Sequence, residues 1–378
     1  MRVLALNCGS SSVKSALIDS ATGRRLQEIR VENIGSDPVD LQGAVDRLLT
    51  EYREREAAST QPEAVAHRVV HGGEKFQRPV MLDAAVLDQL EQLNALAPLH
   101  NPPALAAIRQ ARDALPDVPH VAVFDTAFHA TLPDHAREYA LPVDVSRRLG
   151  IRRFGFHGIN HSHVASSVAS YLGVDLQALR IISCHLGNGA SVTAIEGGRS
   201  VETSMGMTPL EGLVMGTRPG DIDPGALLQL QRCGEFDADQ LDELLNKRSG
   251  LKGLTGVNDM REIERRAAAG GEDCRRAIDI YVHRIRKYIG AYAVAMNGVD
   301  AIAFTAGVGE NSSLIRQRCL ERLDILGAVL DPNRNHNVRL SDAQPIDAIA
   351  ADYSRVQLLV VRADEELAIA RESVAILS

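Results

Sequence analysis

The stretch from residue 185 to residue 225 reads HLGNGASVTAIEGGRSVETSMGMTPLEGLVMGTRPGDIDPG. It holds nine glycines, which permit tight turns and close approach of a ligand to the backbone, among short hydroxyl side chains suited to oxyanions. Scattered apolar residues can anchor it, so the pattern predicts an ordered binding loop. One arginine, Arg218, stands between small residues ahead of Asp221 and Asp223. The alternative is a glycine-rich connector in which Arg218 only pairs with one of these aspartates.

The start of this stretch belongs to a predicted β-hairpin that has a counterpart at the N-terminus. Residues 181–196, IISCHLGNGASVTAIE, indicate a strand, a small-residue turn and a second strand, and residues 3–18 repeat this design around NCGSSS. Ser12-Val13 aligns with Ser191-Val192, turn against turn. The repeat predicts a duplicated domain with a ligand held between the copies. The pattern GxxxxGK[ST] is absent, which excludes a Walker P-loop but leaves an ordinary serine-rich hairpin open.

Strands alternate with helices along the rest of the chain, which predicts an α/β fold. Buried strands are expected at 64–70, 120–124, 301–305 and 356–361. Helices are expected at 41–52, 83–96, 104–114, 226–232, 238–246, 258–269, 272–296 and 364–376. Arg68 and Asp125 come at the carboxyl ends of the first two of these strands, where open α/β sheets bind their ligands.

Length and composition limit the class of protein. At 378 residues the chain exceeds one usual core, so two domains are the default. A net charge of −8 argues against nucleic acid and anionic membrane surfaces as partners. The five cysteines are scattered without a CxxC pair, and the start MRVLALNCGSSS reaches glycine too early for a signal peptide. No apolar run approaches the ~20 residues that span a membrane. We therefore expect a cytoplasmic protein with reduced thiols.

Nine motifs stand along the chain in this order: LNCGSSSVKSAL, HRVVHGGE, APLHNP, FDTAFH, FGFHG, HLGNGASV, TSMGMTPLEGLVMGTRPGDIDP, AGVGEN and ADEEL. Together they cover nearly the whole chain, which closely resembles the acetate kinases, members of the superfamily of acetate and sugar kinases, Hsp70 and actin. The resemblance implies two duplicated ribonuclease H-like domains, of the actin and Hsp70 ATPase type, facing across a cleft. It places an N-terminal domain at 1–127 plus 363–378 and a nucleotide-binding, dimer-forming domain at 128–362.

The resemblance also implies a reaction: reversible, Mg²⁺-dependent transfer of a phosphoryl group from ATP to acetate, giving ADP and acetyl phosphate by direct in-line attack. We expect a homodimeric phosphotransferase with a carboxyl group as acceptor, in which Mn²⁺ substitutes for Mg²⁺. A short carboxylic acid is already ionised at neutral pH, so the attack needs no general base, and positioning and electrostatics carry the catalysis. A propionate or butyrate kinase of the same family is the nearest alternative.

Single residues match positions of known role in that family. Arg68 is the candidate clamp for the acetate carboxylate, because guanidinium offers a planar bidentate fork. His157 and Arg218 match the groups that stabilise the transferring phosphoryl oxygens. Asp125 matches the catalytic aspartate, and we expect it to orient Arg218 or magnesium-bound water. The acyl pocket is matched by Val70, Leu99, Phe156 and Pro209. One methylene changes discrimination by only ~1–3 kcal/mol, so propionate is expected to be a poorer substrate rather than an excluded one.

Nucleotide and metal positions are matched as well. Phosphate contacts correspond to Ser12, Lys14, His185, Leu186, Gly187, Asn188 and Gly189. The adenosine and ribose contacts correspond to Asp259, Met260, Arg261, Gly307, Val308, Gly309, Glu310 and Asn311. Asn7 and Glu365 match the metal site; since they lie near opposite ends of the chain, the closing helix must then return to the first domain. Glu366, beside Glu365, is expected to be solvated.

Other classes of protein remain open. An ATP-dependent conformational module of the Hsp70 or actin kind would share the fold but turn over ATP without acetate. A metal-dependent hydrolase could use His157, His161 and His163, although no matching acidic ligand pattern accompanies them. The segment 307–309 lacks the third glycine of a dinucleotide fingerprint, so NAD is disfavoured. In a kinase, water would compete with acetate, so we expect ATP and acetate together to drive domain closure.

Overall fold

Two compact units make up the chain, of which the computed structural model describes residues 1–8, 12–32, 38–54, 61–98 and 100–377. The first unit consists of Met1–Ala130, Phe156–His163 and Asp364–Ser378, and the second of Thr131–Gly155 and Val164–Ala363. The limits and the roles expected for two domains remain predictions.

The first unit is built on a mixed sheet of six strands. Its strands are β1 (Arg2–Cys8), β2 (Ser12–Asp19), β3 (Arg25–Glu32), β4 (Ala64–Val69), β5 (Val80–Met81) and β6 (His120–Phe124). They lie in the order β3-β2-β1-β4-β6-β5. β1, β4 and β6 are mutually parallel, whereas β2, β3 and β5 pair antiparallel to their neighbours. The carboxyl ends of the three parallel strands therefore meet at one edge of this first sheet.

The second unit contains a sheet of the same size. Its strands are β7 (Arg180–Leu186), β8 (Ala190–Glu196), β9 (Arg199–Thr203), β10 (Ala301–Thr305), β11 (Ile346–Ala348) and β12 (Gln357–Val361). They lie in the order β9-β8-β7-β10-β12-β11, with β7, β10 and β12 parallel and the others antiparallel. Each strand of the first sheet thus has a counterpart six strands later in the chain with the same neighbours and directions. The predicted α/β fold and the predicted duplication are confirmed, and the paired hairpins are β1–β2 and β7–β8.

Helices connect and cover these strands. In the described residues they are α1 (Pro38–Glu54), α2 (Ala84–Glu91), α3 (Asn101–Ala114), α4 (Asp134–Arg137), α5 (Val143–Leu149), α6 (Gly158–Leu172), α7 (Pro224–Arg232), α8 (Ala238–Glu243), α9 (Gly250–Thr255), α10 (Met260–Ala268), α11 (Glu272–Ala295), α12 (Ala306–Asn311), α13 (Ser313–Leu320), α14 (Pro332–His336) and α15 (Glu365–Leu377). Within these described ranges, none is both long and apolar enough to cross a membrane.

The first sheet buries both of its faces, since successive side chains of a strand point to opposite sides. Leu4 of β1 lies in a buried cluster with Leu48 of α1, and α3 packs on the same side. Val3 lies in a different cluster, which includes Ile369 of α15. The closing helix therefore packs against the sheet that the N-terminal strand begins, although Asn7 and Glu365 lie 358 positions apart in the sequence.

Short or exposed elements depart from the sequence prediction. The edge strands β3, β5, β9 and β11 were not expected, and β9 lies inside the stretch predicted as one long loop. Apart from the short turns at 187–189 and 197–198, the irregular part of that stretch is therefore residues 204–223. The helix expected at 83–96 ends at Glu91, and that expected at 238–246 becomes a π-helical turn after Glu243. The long helix at 272–296 is α11, whose Tyr281 is a buried core residue.

Candidate active site

A guanidinium and a carboxylate lie side by side at the carboxyl edge of the first sheet. Arg68, near the end of β4, donates from Nε to both carboxylate oxygens of Asp125 at 3.1 Å, and from Nη2 to Oδ2 at 2.5 Å. Asp125 directly follows β6, the neighbouring parallel strand. The side chain of Asp125 is 3% exposed and that of Arg68 is 16% exposed, so water screens this pair little.

Two further residues extend the pair into a chain of hydrogen bonds. Arg68 Nη1 donates to Oδ1 of Asn7, in β1, at 2.9 Å. Asn7 Nδ2 in turn donates to Oε2 of Glu365, the first residue of α15, at 2.7 Å. The packing of α15 on the first sheet thus brings together Asn7, Arg68, Asp125 and Glu365, which we name the edge network.

The edge network keeps its arginine charged. Burial alone would lower the pKa of Arg68, but the carboxylates of Asp125 and Glu365 raise it above its ordinary value. Burial raises the pKa of Asp125, and the nearby carboxylate of Glu365 adds to this, whereas Arg68 opposes it. The sequence suggested that Asp125 orients Arg218 or metal-bound water; the structure shows that it holds Arg68.

The expectation that Glu366 is solvated is wrong. Glu366 is 7% exposed, and its Oε2 lies 3.7 Å from Nη2 of Arg25, which also pairs with Asp364 at 2.5 Å. Burial and the neighbouring Glu365 raise the pKa of Glu366, while Arg25 and Lys14 oppose this rise. Apolar side chains of α15 fix its orientation on the sheet, and that orientation turns Glu366 inward.

The two phosphate ligands predicted in the first unit lie on one strand. Lys14 is a residue of β2, paired with Asn7 of β1, and Ser12 is the first residue of β2.

Backbone geometry places His157 beside the edge network. The amide of Gly158 donates to the carbonyl of Asp125 at 2.9 Å, and a Cβ at Gly158 would collide with that carbonyl oxygen. His157 itself adopts a left-handed conformation, with φ of 57°. The ring of His157 lies 6.5 Å from the ring of His161. The fixed role of Gly158 is invisible in the sequence, because only its distance to a backbone atom reveals it.

Of the four residues expected to line an acyl pocket, two lie in the first unit, one lies in the second unit and one is outside the described residues. Val70 and Phe156 are both buried in the first unit, and the Phe156 ring lies 5.7 Å from the ring of His71, edge to face. Burial lowers the pKa of His71 to about 4, so this ring is neutral at physiological pH. Leu99 lies outside the described residues, and Pro209 belongs to the second unit.

Arg218 carries a charge that no carboxylate compensates in the described part of the chain. Its Nη1 donates to the carbonyl of Pro209 at 2.9 Å, and burial lowers its pKa. Asp221 instead accepts from the Gly212 amide and from Tyr288, and Asp223 caps α7. The alternative of a simple Arg218–aspartate pair is therefore wrong. A desolvated guanidinium without a carboxylate partner among the described residues is the electrostatic feature expected of a site for an anion.

A second arginine, which the sequence prediction missed, anchors the loop that carries Pro209. Arg153 Nη1 donates to three successive carbonyls, those of residues 203, 204 and 205, at 3.0–3.4 Å. Its Nη2 donates to Glu211 at 2.6 Å, and Tyr139 donates to the other oxygen of Glu211 at 2.5 Å. The ends of the loop segment from 203 to 211 are thereby joined. Arg153 directly precedes the motif FGFHG, but nothing in its spacing indicated these partners.

Three segments expected to bind the nucleotide lie together in the second unit. The turn 187–189 follows His185 and Leu186 at the end of β7, and the carbonyl of Asn188 accepts from the Gly216 amide at 2.9 Å. Asn258, next to the predicted segment 259–261, donates to the Asn188 side chain at 3.1 Å. The helix α12, which is the predicted segment 307–311 with Ala306, contacts β7. Asp259 and Arg261 pair with each other at 2.7 Å at the exposed start of α10, whereas Met260 is buried.

Two charged side chains, those of Arg316 and Glu310, hold α12 in place by hydrogen bonds to its backbone. Arg316, 1% exposed, donates to the carbonyls of Gly309 and Glu310 at 2.9 and 2.8 Å and to Asn335. The carboxylate of Glu310 accepts from the amides of Ala306 and Ala363. Burial raises the pKa of Glu310, and these two amides oppose the rise. Glu310 was expected to contact the nucleotide; one of its two oxygens is used inside the protein.

Among the described residues, the predicted metal ligands Asn7 and Glu365 form a small set. Asn7 and Glu365 are neighbours, joined by the hydrogen bond from Asn7 Nδ2 to Glu365 Oε2, while Asn7 Oδ1 accepts from Arg68. Amide and carboxylate oxygens are ligands that Mg²⁺ prefers, completed by water and substrate phosphates. In residues 1–8, 12–32, 38–54, 61–98 and 100–377, no cluster of three or more His, Cys, Asp or Glu could hold a metal ion. Asn7 and Glu365 fit a magnesium ion that arrives with a nucleotide. The alternative of a metal-dependent hydrolase that uses His157, His161 and His163 has no set of ligands in this part of the chain.

Comparison with known proteins gives one family. The sequence model of the acetokinase family matches residues 32–371. The acetate kinase of Clavibacter sepedonicus is 47% identical over 393 residues, covering 99% of this chain and 98% of the relative. The crystal structure of Porphyromonas gingivalis acetate kinase is similar with a TM-score of 0.90 and 38% identity, over 100% of both chains. A propionate kinase from Francisella tularensis subsp. tularensis SCHU S4 is similar with a TM-score of 0.87 and 38% identity, over 98% of both chains.

Proposed function

This chain belongs to the acetokinase family, and from that premise we propose that it transfers the γ-phosphoryl group of ATP to the carboxylate of acetate. The products are ADP and acetyl phosphate, and the reaction is reversible. The observation that carries the proposal is the edge network: three residues from β1, β4 and α15, with the residue that follows β6, form one hydrogen-bonded chain at the carboxyl edge of the sheet. Such an edge is where open α/β sheets bind ligands.

Arg68 has donors to spare for a carboxylate. A guanidinium carries five N–H bonds. The contacts to Asp125 and Asn7 use one on each of its three nitrogens, which leaves one N–H on Nη1 and one on Nη2 without a partner in the described part of the chain. Two N–H bonds on the terminal nitrogens are what bidentate binding of acetate requires. Asp125 supports this binding by holding the opposite side of the guanidinium, and it accepts no proton, because acetate is already ionised.

Stabilisation of the moving phosphoryl group falls to Arg218 and His157. Charge on the phosphoryl oxygens is met best by donors that are fixed in advance in a site from which water is excluded. Arg218 is desolvated, has no carboxylate partner among the described residues, and is oriented by the Pro209 carbonyl. The Gly158–Asp125 backbone bond fixes His157 next to the residue that holds Arg68.

Magnesium is the divalent ion we propose for the site, with Mn²⁺ able to substitute. Asn7 and Glu365 would hold it together with water and the nucleotide phosphates. Such an ion neutralises phosphate charge during phosphoryl transfer. The nucleotide itself is assigned to Lys14 and Ser12 of the first unit and to the three grouped segments of the second.

Acetate is favoured over longer acids because Val70 and Phe156 are bulky and already buried. Propionate is the second candidate, supported by the similarity to the Francisella propionate kinase. The test is ATP turnover with acetate, propionate and butyrate in parallel, trapping acyl phosphate as the hydroxamate. We expect the highest kcat/KM for acetate. The value for propionate should be ~10-fold lower, because one additional methylene in an apolar pocket changes discrimination by at least that factor. A higher value for propionate would reverse the assignment, and ATP turnover without any acid would indicate a conformational ATPase.

We also propose a cytoplasmic homodimer. All five cysteines are unpaired, which fits a reducing compartment. The dimer is inferred from the family alone. Sedimentation equilibrium would test it, with an expected mass of twice the 40.9 kDa of one chain.

A further inference from the structure

One carboxylate oxygen joins two segments of the second unit that lie far apart in sequence. Glu310 Oε1 accepts from the amide of Ala306 at 3.0 Å and from the amide of Ala363 at 2.8 Å. Ala306 begins α12, directly after β10, and Ala363 follows β12, the neighbouring parallel strand. The bond therefore crosses between the carboxyl ends of two adjacent strands.

The first of these segments is held in a strained conformation. Ala306 has a φ of 66°, in the left-handed region that costs a residue with a Cβ about 1 kcal/mol or more. The Glu310 carboxylate caps its amide, and Arg316 holds the carbonyls of Gly309 and Glu310 at the other end of the helix. The segment proposed to contact adenosine is thus a short, rigid piece with Glu310 in it.

The second segment leads directly to the edge network. Ala363 is the last residue of the second unit, and the chain enters the first unit at Asp364. Asp364 caps α15 by accepting from the Leu367 amide at 3.0 Å, and Glu365, the next residue, contacts Asn7. Only one residue, Asp364, therefore lies between Ala363, whose amide Glu310 holds, and Glu365, whose carboxylate is assigned to the metal.

We propose that Glu310 is a positioning residue that couples binding of a purine nucleotide at α12 to the position of Glu365, rather than a direct ligand of that nucleotide. A nucleotide that contacts the segment 306–311 changes or fixes the position of Glu310. Because Glu310 accepts a hydrogen bond from the Ala363 amide, the position of Ala363 changes with it, and so does that of Glu365, two positions further along the chain. The inference rests on the proposed function, because it takes Glu365 as a metal ligand and α12 as a nucleotide contact. By linkage, the effect is reciprocal: metal held by Glu365 strengthens nucleotide binding through Glu310.

The test is a double-mutant cycle on nucleotide binding, measured by calorimetry with ADP alone and with ADP and Mg²⁺. The variants are Glu310→Ala, Glu365→Gln and the double variant. We expect Glu310→Ala to change the Kd for metal-free ADP less than threefold and to weaken binding of ADP with Mg²⁺ by about 5- to 10-fold. The double variant should bind no more weakly than Glu365→Gln alone, since both remove the same coupling.

Two further variants separate coupling from a structural role. Ala363→Pro removes the amide that donates to Glu310 and leaves the bond to Ala306 in place, so it should reproduce the loss of Mg²⁺-dependent binding. Glu264→Ala is the matched control, because Glu264 is also a part-buried carboxylate, bonded at 2.5 Å to Ser312 just beyond α12. Its effect should add to that of Glu365→Gln.

Each alternative outcome overturns the proposal. If Glu310→Ala weakens metal-free ADP binding about tenfold, Glu310 is a direct nucleotide ligand. Additive effects of Glu310→Ala and Glu365→Gln, or effects equal to those of Glu264→Ala, would mean that no coupling exists. Thermal unfolding of each variant identifies any variant that fails to fold. The proposal is then tested on the variants that do fold. Acetate-dependent formation of acyl phosphate by the unchanged protein is measured separately, so failure of the proposed function is recognised independently.

Discussion

The two arginines proposed to bind anions differ in how their charges are balanced. Arg68 is surrounded by carboxylate and amide oxygens, whereas Arg218 is desolvated beside a single carbonyl. A buried ion pair that loses one partner leaves an uncompensated charge, but a buried charge without a partner is itself unfavourable. The same substitution should therefore lower stability strongly at Arg68 and change it little at Arg218.

Replacing Arg68 by alanine should affect both binding and folding. Arg68→Ala removes the donors proposed for acetate, so KM for acetate rises more than kcat falls. It also leaves Asp125 buried without its partner, and we expect the free energy of unfolding to fall by about 3–5 kcal/mol. Urea denaturation measures this loss. The double variant Arg68→Ala/Asp125→Asn should recover part of it, and no recovery would contradict the pairing as the cause.

Replacing Arg218 by alanine should affect catalysis with little effect on folding. Loss of one fixed donor to a developing anion typically costs about 10²–10³ in kcat. The free energy of unfolding should change by less than ~1 kcal/mol, because the lost bond to Pro209 is offset by removal of a desolvated charge. Steady-state kinetics and urea denaturation on one preparation give both numbers. Normal kcat in Arg218→Ala would remove Arg218 from the site.

At the scale of elements, the loop 204–223 depends on residues outside it. Arg153 and Tyr139 hold Glu211 and the carbonyls of 203–205, and this fixes the Pro209 carbonyl that orients Arg218. Glycines allow the close packing: a Cβ at Gly212, whose φ is 104°, would lie 2.5 Å from the carbonyl oxygen of Ser204. The loop is thus an ordered element without regular hydrogen bonding.

Arg153→Met should loosen this loop and lower activity indirectly. A small displacement of a catalytic group costs about 10- to 100-fold in rate, so we expect a loss of kcat in that range with KM for ATP nearly unchanged. Hydrogen exchange should become faster at 203–211. Arg152→Met is the control, since the Arg152 guanidinium lies over the Phe154 ring at 5.1 Å. Equal effects of the two substitutions would argue against the anchoring role.

The closing helix α15 carries a carboxylate that makes stability depend on pH. Burial, and to a lesser extent Asp125, raises the pKa of Glu372 from 4.5 to about 7. Because the folded-state pKa is raised, the stabilising contribution is complete below pH ~4.5 and is lost as pH rises through about 7. A shift of this size corresponds to up to about 3 kcal/mol.

Glu372→Gln should remove that dependence. Relative to the unchanged protein, the variant should gain up to about 3 kcal/mol in free energy of unfolding between pH 5 and pH 8. Urea denaturation of both proteins across this range gives the difference, in which the contributions of other carboxylates cancel. A difference that is constant with pH would show that Glu372 is not buried as described.

Sequence patterns predicted the elements that are long or buried and missed those that are neither. The hairpins and α11 carry regular apolar spacing, so β1–β2, β7–β8 and the helix at 272–296 were expected. β3, RLQEIRVE, is an edge strand with many polar residues, and β5 has two residues, so periodicity carries almost no information there. Pairings such as Arg68 with Asp125 depend on which strands become neighbours, and no single sequence shows this. The inward direction of Glu366 likewise follows from how α15 packs.

At the scale of the whole molecule, the two sheets repeat one topology and differ in what their carboxyl ends carry. The first presents Asn7, Arg68 and Asp125, which suit a carboxylate and a metal ion. The second presents the 187–189 turn at the end of β7 and α12 at the end of β10, with glycines and backbone amides that suit phosphates and a nucleoside. The two copies thus share one sheet topology and differ in the residues at the carboxyl ends of their parallel strands.

The central claim is that the acetate carboxylate, rather than water, attacks the γ-phosphorus atom of ATP. It is tested most directly by turnover with ATP and acetate labelled at both oxygens with ¹⁸O, trapping the product with hydroxylamine. Hydroxylamine attacks the carbonyl carbon of acetyl phosphate and releases phosphate with the bridging oxygen. The account predicts one ¹⁸O atom in each phosphate released, and no phosphate when acetate is omitted. Unlabelled phosphate, formed at the same rate with or without acetate, would contradict it.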